Sequence, residues 1–332
     1  MPTPDLFLRT ARAYQDSAAV KTAIDLDMFT AMGEGAASAS EIGRRCSASE
    51  RGIRILCDFL VVLGFLTKSA DKYSMTPDTA TFLDRRSPMC IASAANWLCN
   101  TQAMGTFEYL TESVRKGGST MPDGGSTSHE NPLWIQFAEA MAPMMTMVAG
   151  VVAQALGEAA AKAKKALDIA AGHGMYGIML AQRNPGLRMA AVDWPQVLEV
   201  AKRNAQKFGV AERYATLAGS AFDVDFGADY DIILVPNFLH HFSAERNIEF
   251  LKKVRAALAP GGRAAIVEFV PNDDRVSPPW AASFSLTMLT STPEGDAFTF
   301  RELEQMCRGG GFTNVTIQAL LPAPQSLIIA EK

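Results

Sequence analysis

Histidine is scarce in this chain, with four residues among 332. Any proton chemistry by an imidazole must therefore come from His129, His173, His240 or His241. Cysteine is little used as well: the five residues at 46, 57, 90, 99 and 307 are odd in number, scattered, and form no CxxC pair. That spacing excludes a disulfide framework and a cysteine zinc site, and predicts reduced core thiols in a cytoplasmic protein without a metal. A basic excess is missing. The 31 Lys and Arg stand against 35 Asp and Glu, for a net charge of −4. A nucleic-acid partner would normally demand the opposite balance. No apolar run approaches the roughly 20 residues that cross a bilayer, so no membrane partner is expected. Met1-Pro-Thr-Pro-Asp-Leu6 lacks the basic and apolar regions of a signal peptide, which predicts no secretory leader.

What the chain does have is a hydrophobic fraction of 48% with 20% charged residues, the balance of a globular protein long enough for two domains. Its most informative stretch is Ala166-Leu-Asp-Ile-Ala-Ala-Gly-His-Gly-Met-Tyr-Gly177. A short apolar run breaks at Gly172 and Gly174 and resumes at helical spacing, which predicts strand, glycine turn and helix. In a doubly wound α/β domain such a turn lets backbone N–H groups approach a ligand. An acidic residue about 20 positions later then ends the next strand and holds a ribose. Asp193, after Met189-Ala-Ala-Val192, stands there.

Upstream, residues 4–32 read as helical. Ser38 or Ser40 caps a short helix, and Ser47-Ala-Ser49-Glu50 opens another through Leu63. Gly64-Phe-Leu-Thr67 and Tyr73-Ser-Met-Thr76 read as a hairpin, so the first region is a winged helix. Residues 88–115 give one or two helices, and 116–128 form a loop by composition, with His129 solvent-facing beyond it. A methionine-rich helix then continues through Leu156 towards Lys165. From 166 the alternation is regular, with strands at 166–170, 188–192, 214–217, 230–235 and 263–270. Helices fall at 175–183, 195–208 and 244–258, and Pro260-Gly-Gly262 reads as a turn. A helix from Phe300 ends at Gly309, and 315–320 with 326–330 form a closing antiparallel pair. The expected fold is a mostly parallel seven-stranded sheet with a reversed edge strand. The expected divisions are 1–105, a helical linker at 106–160, and 161–332.

These features resemble the class I S-adenosylmethionine-dependent methyltransferases, and more narrowly the two-domain small-molecule O-methyltransferases of plant caffeic acid and bacterial polyketide type. Four motifs carry the resemblance: Asp168-Ile-Ala-Ala-Gly-His-Gly174, Val192-Asp-Trp-Pro195, Leu239-His-His-Phe242 and Ala259-Pro-Gly-Gly262. The sequence departs from the family pattern in four places. Ala170 replaces the first glycine, and Gly219-Ser-Ala-Phe222 lacks the usual acid. His240-His-Phe242 replaces His-Asp-Trp, and Asp296-Ala-Phe-Thr299 replaces Glu-Arg-Thr. The resemblance implies a homodimer built through the winged helix, which does not touch DNA.

It further implies that Gly172 and Gly174 face the amino-acid end of S-adenosylmethionine and Asp193 its ribose. Trp194, Ala221 and Phe222 flank the adenine, with Ser220 and Asn237 nearby, and Asp168 orients the loop. Methyl transfer is an in-line displacement that leaves S-adenosylhomocysteine, so positioning carries most of it. A phenol with a pKa of about 10 also gains from a general base. His240, just beyond an apolar strand, fits that role, with Glu268 at the end of the next strand to orient it. His241 is the second candidate, and His173 holds a loop position without catalytic duty. The acceptor pocket draws on Trp97, Met104, Phe107, Phe137, Met141, Met144, Met145, Phe284 and Met288, since thioethers adapt to irregular apolar rings. The alternatives left open are N-methylation by the same fold and a cofactor-retaining decarboxylase, hydroxylase or pericyclase.

Overall fold

A computed structural model describes residues 1–33, 35–127 and 131–332. It divides into two compact units, Met1–Met104 and Gly105–Lys332. His129 lies outside the described residues.

The N-terminal unit begins with helices Asp5–Arg12, Tyr14–Asp25 and Met28–Met32. Strand β1 (Ala37–Ser38) leads into helix Ala39–Arg45, whose N-terminus is closed by reciprocal bonds between Ser38 and Glu41. Ser49 caps the next helix, Glu50–Val62, by accepting the Gly52 N–H. That helix feeds the hairpin β2 (Leu66–Ser69) and β3 (Lys72–Met75), which β1 extends to a three-stranded sheet. Ile42, Ile53, Leu60, Leu66 and Tyr73 are fully buried between helices and hairpin. The winged-helix pattern stands, and β1 adds a short third strand to the expected hairpin.

Residues 88–115 depart from the expected one or two helices. They form short pieces, among them Ala95–Leu98 and Leu110–Lys116, separated by single turns. Asn100 explains one break: its side-chain oxygen accepts the Gln102 N–H at 2.8 Å, a local bond that starts a new turn in place of the old helix. Gly117, at φ 79°, ends the last piece.

In the C-terminal unit, helix Leu133–Ala155 runs for 23 residues. It is long and apolar enough to span a bilayer, against the expectation that no stretch was. Its buried face of Ala138, Met141, Met145, Val148, Ala149 and Val152 packs on helices Met175–Arg183 and Pro195–Lys207, so its apolarity serves the core. The expected continuation to Lys165 is broken at Gly157, whose φ of 49° starts a separate helix, Gly157–Lys162.

The main sheet contains β4 (Lys165–Ile169), β5 (Arg188–Asp193), β6 (Tyr214–Ala218), β7 (Tyr230–Pro236), β8 (Leu258–Glu268), β9 (Asn314–Ala319) and β10 (Ser326–Glu331). Their order across the sheet is β6-β5-β4-β7-β8-β10-β9. All pairs are parallel except those of β10 with β8 and β9, so the reversed strand lies one place in from the edge. Pro260-Gly-Gly262 is an irregularity within β8, not a turn before it: the β7–β8 register shifts between Tyr230 and Ile232. Leu167, Ile169, Val192, Ile233, Val235 and Ile266 form a dry centre under the strand ends. From β4 the chain moves outwards to β5 and β6, then returns to place β7 on the other flank of β4. Ligands in open α/β sheets bind at such a reversal, beyond the carboxyl ends of the strands. The turns after β4 and β7 therefore meet at one crevice.

Candidate active site

The turn after β4 is built by backbone conformations that L residues resist. Ala170, Gly172 and Gly174 have φ of 49°, 55° and 75°. Alanine takes the left-handed region at the position where the family pattern has glycine, at a cost of roughly 1–2 kcal/mol. Gly174 has no substitute, because a Cβ there would lie 2.7 Å from Tyr214 Oη and 3.0 Å from Ala201 Cβ. Asp168 braces the turn from beneath, its Oδ2 accepting the Gly177 N–H at 2.9 Å. Burial pushes its carboxyl up to about 8, against the pull of the Gly177 bond. Asp193 closes the turn from β5, where Oδ2 accepts the Gly172 N–H and Oδ1 the Trp194 N–H, each at 2.7 Å. Burial raises Asp193 to about 6.

Beyond Asp193 the two flanks differ. Gly219 N–H donates to the Asp193 carbonyl, which sets Ser220, Ala221 and Phe222 beside it. Phe222 joins an aromatic cluster with Phe238, Phe242 and Phe250, and the Arg246 guanidinium lies 4.2 Å over its ring. Trp194 packs instead with Trp134, Ile135 and Ala138 of the long helix.

The turn after β7 carries the histidines. Asn237 enters it at φ 53°, and Leu239–His241 form one 3-10 turn. Glu268, the last residue of the neighbouring strand β8, organises the whole turn. Its Oε1 accepts the N–H groups of Phe238 and Leu239 at 3.0 and 2.8 Å, and its Oε2 stands 2.5 Å from His240 Nδ1. Both residues are buried, at 4% and 2% exposure. A carboxylate oxygen can only accept, so Nδ1 carries the imidazole proton and Nε2 presents its lone pair. Nε2 makes no hydrogen bond with any described residue. The structure thus brings together the two residues the sequence singled out.

His241 faces elsewhere. Its Nδ1 lies 3.4 Å from Ser126 Oγ and its ring stands edge-on to Trp134. Burial, and then the adjacent His240 imidazole, hold it well below the usual histidine range. Among the acceptor-side residues, Phe284 meets the His240 ring edge-on at 4.8 Å and stacks on Phe269. Phe137 stacks beside His173. Met141, Met145 and Met288 are buried, Met144 is half-buried and Phe107 is exposed. Trp97 and Met104 belong to the N-terminal unit. Asp296 pairs with Arg275 at 3.1 Å.

Three residues escaped sequence reasoning. Tyr176 Oη accepts from Asn237 Nδ2 at 3.1 Å and reaches Met145 Sδ at 3.7 Å, joining glycine turn, β7 and long helix. Gly295 presses so closely on the histidine turn that a Cβ would fall 2.2 Å from the His240 carbonyl oxygen. Asn247 donates to the carbonyls of Leu239 and Phe242. For Tyr176 a signal existed, since it stands in the first turn after the glycines; nothing local marks the other two.

Two carboxyl or amide oxygens in this crevice are sealed without a donor, Asp168 Oδ1 and Asn237 Oδ1. A buried orphan costs about 1–3 kcal/mol, which a ligand's donor group would relieve. Orphaned acceptors, an open glycine turn and an acid at the end of β5 fit a ligand that carries an ammonium and a ribose. No cluster of metal-ligating side chains occurs among the described residues.

A family model for the O-methyltransferase domain matches residues 107–313, and one for the O-methyltransferase dimerisation domain matches residues 8–85. The tetracenomycin polyketide synthesis 8-O-methyl transferase of Streptomyces glaucescens is 27% identical, over 99% of this chain and 97% of its own. The 3-hydroxy-5-methyl-1-naphthoate 3-O-methyltransferase of Streptomyces sahachiroi is 25% identical, over 99% and 95%. A solved structure of a candidate O-methyltransferase from Nostoc punctiforme is 47% identical over the whole of both chains, with a TM-score of 0.97. Human N-acetylserotonin methyltransferase in complex with S-adenosylmethionine shares the fold at 21% identity and a TM-score of 0.85, covering 99% of this chain and 97% of its own.

Proposed function

This chain belongs to the O-methyltransferase family, and on that premise we propose that it methylates a hydroxyl of an aromatic or polyketide-like small molecule, with His240 as general base and Glu268 orienting it. The enzyme class is that of the S-adenosylmethionine-dependent O-methyltransferases. When bound, S-adenosylmethionine supplies a methyl group on a sulfonium, activated for attack by an oxygen nucleophile. The acceptor class is taken from the relatives, whose substrates are a tetracenomycin polyketide and a hydroxynaphthoate.

The observation that carries the base assignment is the buried His240–Glu268 pair with Nε2 unengaged. Glu268 holds the backbone of the turn and the imidazole at once, so the ring cannot rotate without giving up its bond to a carboxylate that the turn itself fixes in place. Nε2 then accepts the hydroxyl proton as the oxygen attacks, and the imidazolium is stabilised by the carboxylate at Nδ1. Phe284 and Phe269 supply an apolar wall against which an aromatic ring can lie. Gly172, Gly174 and Asp193 hold the cofactor, and Asn237 Oδ1 offers it an acceptor. The dimerisation domain supports a homodimer. Free buried thiols at Cys57 and Cys307 suit a reducing, cytoplasmic setting.

The test is S-adenosylhomocysteine release with a panel of phenols and hydroxylated polycyclic aromatics. Turnover should fall about 10²–10⁴-fold in His240→Ala and far less in His241→Ala. Turnover unchanged from the wild type in both variants would reduce catalysis to proximity. Tight cofactor binding with no product from any acceptor would overturn methyl transfer itself.

A further inference from the structure

His173 sits inside the glycine turn, between Gly172 and Gly174, and is 3% exposed. Its Nδ1 accepts the Met175 N–H at 3.1 Å, closing the first turn of helix Met175–Arg183. A nitrogen that accepts cannot carry the proton, so the proton of the neutral ring is on Nε2. Burial lowers this imidazole to about 4, which keeps it neutral at ordinary pH. The ring is fixed on both sides, stacked against Phe137 at 6.3 Å and tilted on Tyr176 at 6.0 Å, while Asn204 Nδ2 ties the His173 carbonyl at 2.9 Å.

Nε2–H has no acceptor among the described residues, and it is not among the polar atoms sealed from solvent. A rigid, nearly buried donor is therefore left without an acceptor in the turn that the proposed function assigns to the cofactor. Tyr176, its ring neighbour, also bonds Asn237, whose Oδ1 is an orphaned acceptor. One donor and one acceptor thus flank the same tyrosine. That is the complement of a zwitterionic amino-acid group, whose ammonium donates and whose carboxylate accepts.

We propose that His173 is a binding residue for the cofactor, its Nε2–H donating to the carboxylate of the cofactor's amino-acid end. The assignment rests on the cofactor reading above and deepens it. A neutral imidazole suits the task, because it offers one directed donor and adds no net charge beside the transferring sulfonium. It adds a binding role to the expected loop position without catalytic duty. Loss of a hydrogen bond to a charged group weakens binding by about tenfold to a hundredfold.

The experiment measures, by calorimetry, the affinities of S-adenosylhomocysteine and of its decarboxylated analogue for the wild type and for His173→Phe and His173→Asn. Phenylalanine keeps the ring between Phe137 and Tyr176 but removes the donor; asparagine restores an acceptor for the Met175 N–H, while its own NH₂ ends short of the position of Nε2. In the wild type the carboxylate should improve affinity at least tenfold. In both variants that preference should shrink towards unity while the decarboxylated analogue binds nearly as before. Parallel loss of both ligands would mean that His173 only shapes the loop, and an undiminished preference would place the carboxylate elsewhere; either overturns the assignment. Failure of the wild type to bind S-adenosylhomocysteine at all would instead overturn the cofactor reading. Should His173→Phe not fold, His173→Asn decides alone.

Discussion

At the residue scale, Glu268 is a sharper probe than His240, since its two oxygens do different work. Glu268→Gln keeps an oxygen to accept the Phe238 and Leu239 amides but places an NH₂ against His240 Nδ1. The imidazole must then accept at Nδ1 and carry its proton on Nε2, where it can no longer take one from the acceptor hydroxyl. Turnover should fall by about 10²–10⁴, as in His240→Ala, with S-adenosylhomocysteine affinity unchanged. Near-normal turnover would remove the base from the mechanism. Asp193 gives a pH signature. Burial has raised it to about 6, and ribose hydroxyls bind best to the ionised form. Ionisation is complete above that value and lost below it, so cofactor affinity should weaken as pH falls through about 6. In Asp193→Asn a titration of binding between pH 5 and 7.5 should be flat, and a wild type equally flat would show the carboxylate is not engaged.

At the scale of elements, the histidine turn after β7 is held from three directions, by Glu268 at the end of β8, Asn247 on helix Ala244–Ala257 and Gly295 in the segment after helix Pro279–Ser291. Gly295 is the most telling, because it makes room and donates nothing to the turn. An alanine there would put its Cβ 2.2 Å from the His240 carbonyl oxygen and force one backbone to yield. Catalysis is sensitive to displacements of about 1 Å, so Gly295→Ala should lose roughly 10–100-fold in kcat. Cofactor affinity should fall less than kcat, since the clash lies on the carbonyl side of His240 and His241, beyond Asn237 and the turn after β4. Steady-state kinetics beside calorimetry separate the two. A coupled loss of both would show that the segment braces the whole crevice.

At the scale of the molecule, helix Asp5–Arg12 buries none of its residues in the unit it belongs to. Leu6, Phe7 and Leu8 are 68%, 71% and 49% exposed, an apolar edge that a single chain leaves in water. The dimerisation-domain match begins at residue 8, inside this helix, and burial against a second copy would account for such an edge. Light scattering should therefore give twice the 35.7 kDa of one chain. Charging the edge with Leu6→Lys and Phe7→Lys together should shift the mass towards the monomer, and an unshifted dimer would place the interface elsewhere.

The alternation of strands and helices after residue 166 was legible in the sequence because periodicity is local: each strand declares itself within five or six residues, and caps such as Ser38–Glu41 close over three. The glycine turn and Asp193 were legible for the same reason, and the pairing of His240 with Glu268 followed from their places, one just beyond β7 and the other at the end of the adjacent β8. Where local signals competed, pattern alone misled, as at residues 88–115 and at Gly157. What tertiary structure decided is direction. His240 and His241 are consecutive and chemically alike, yet one meets Glu268, 28 residues further on, and the other meets Ser126 in the 3-10 helix Pro122–Thr127, a stretch whose composition predicts a loop. Likewise Asp296 turns to Arg275, and Tyr176 becomes the link between two turns. Such choices depend on which groups the sheet order and the packed loops bring within about 3 Å, a distance that no spacing along the chain encodes.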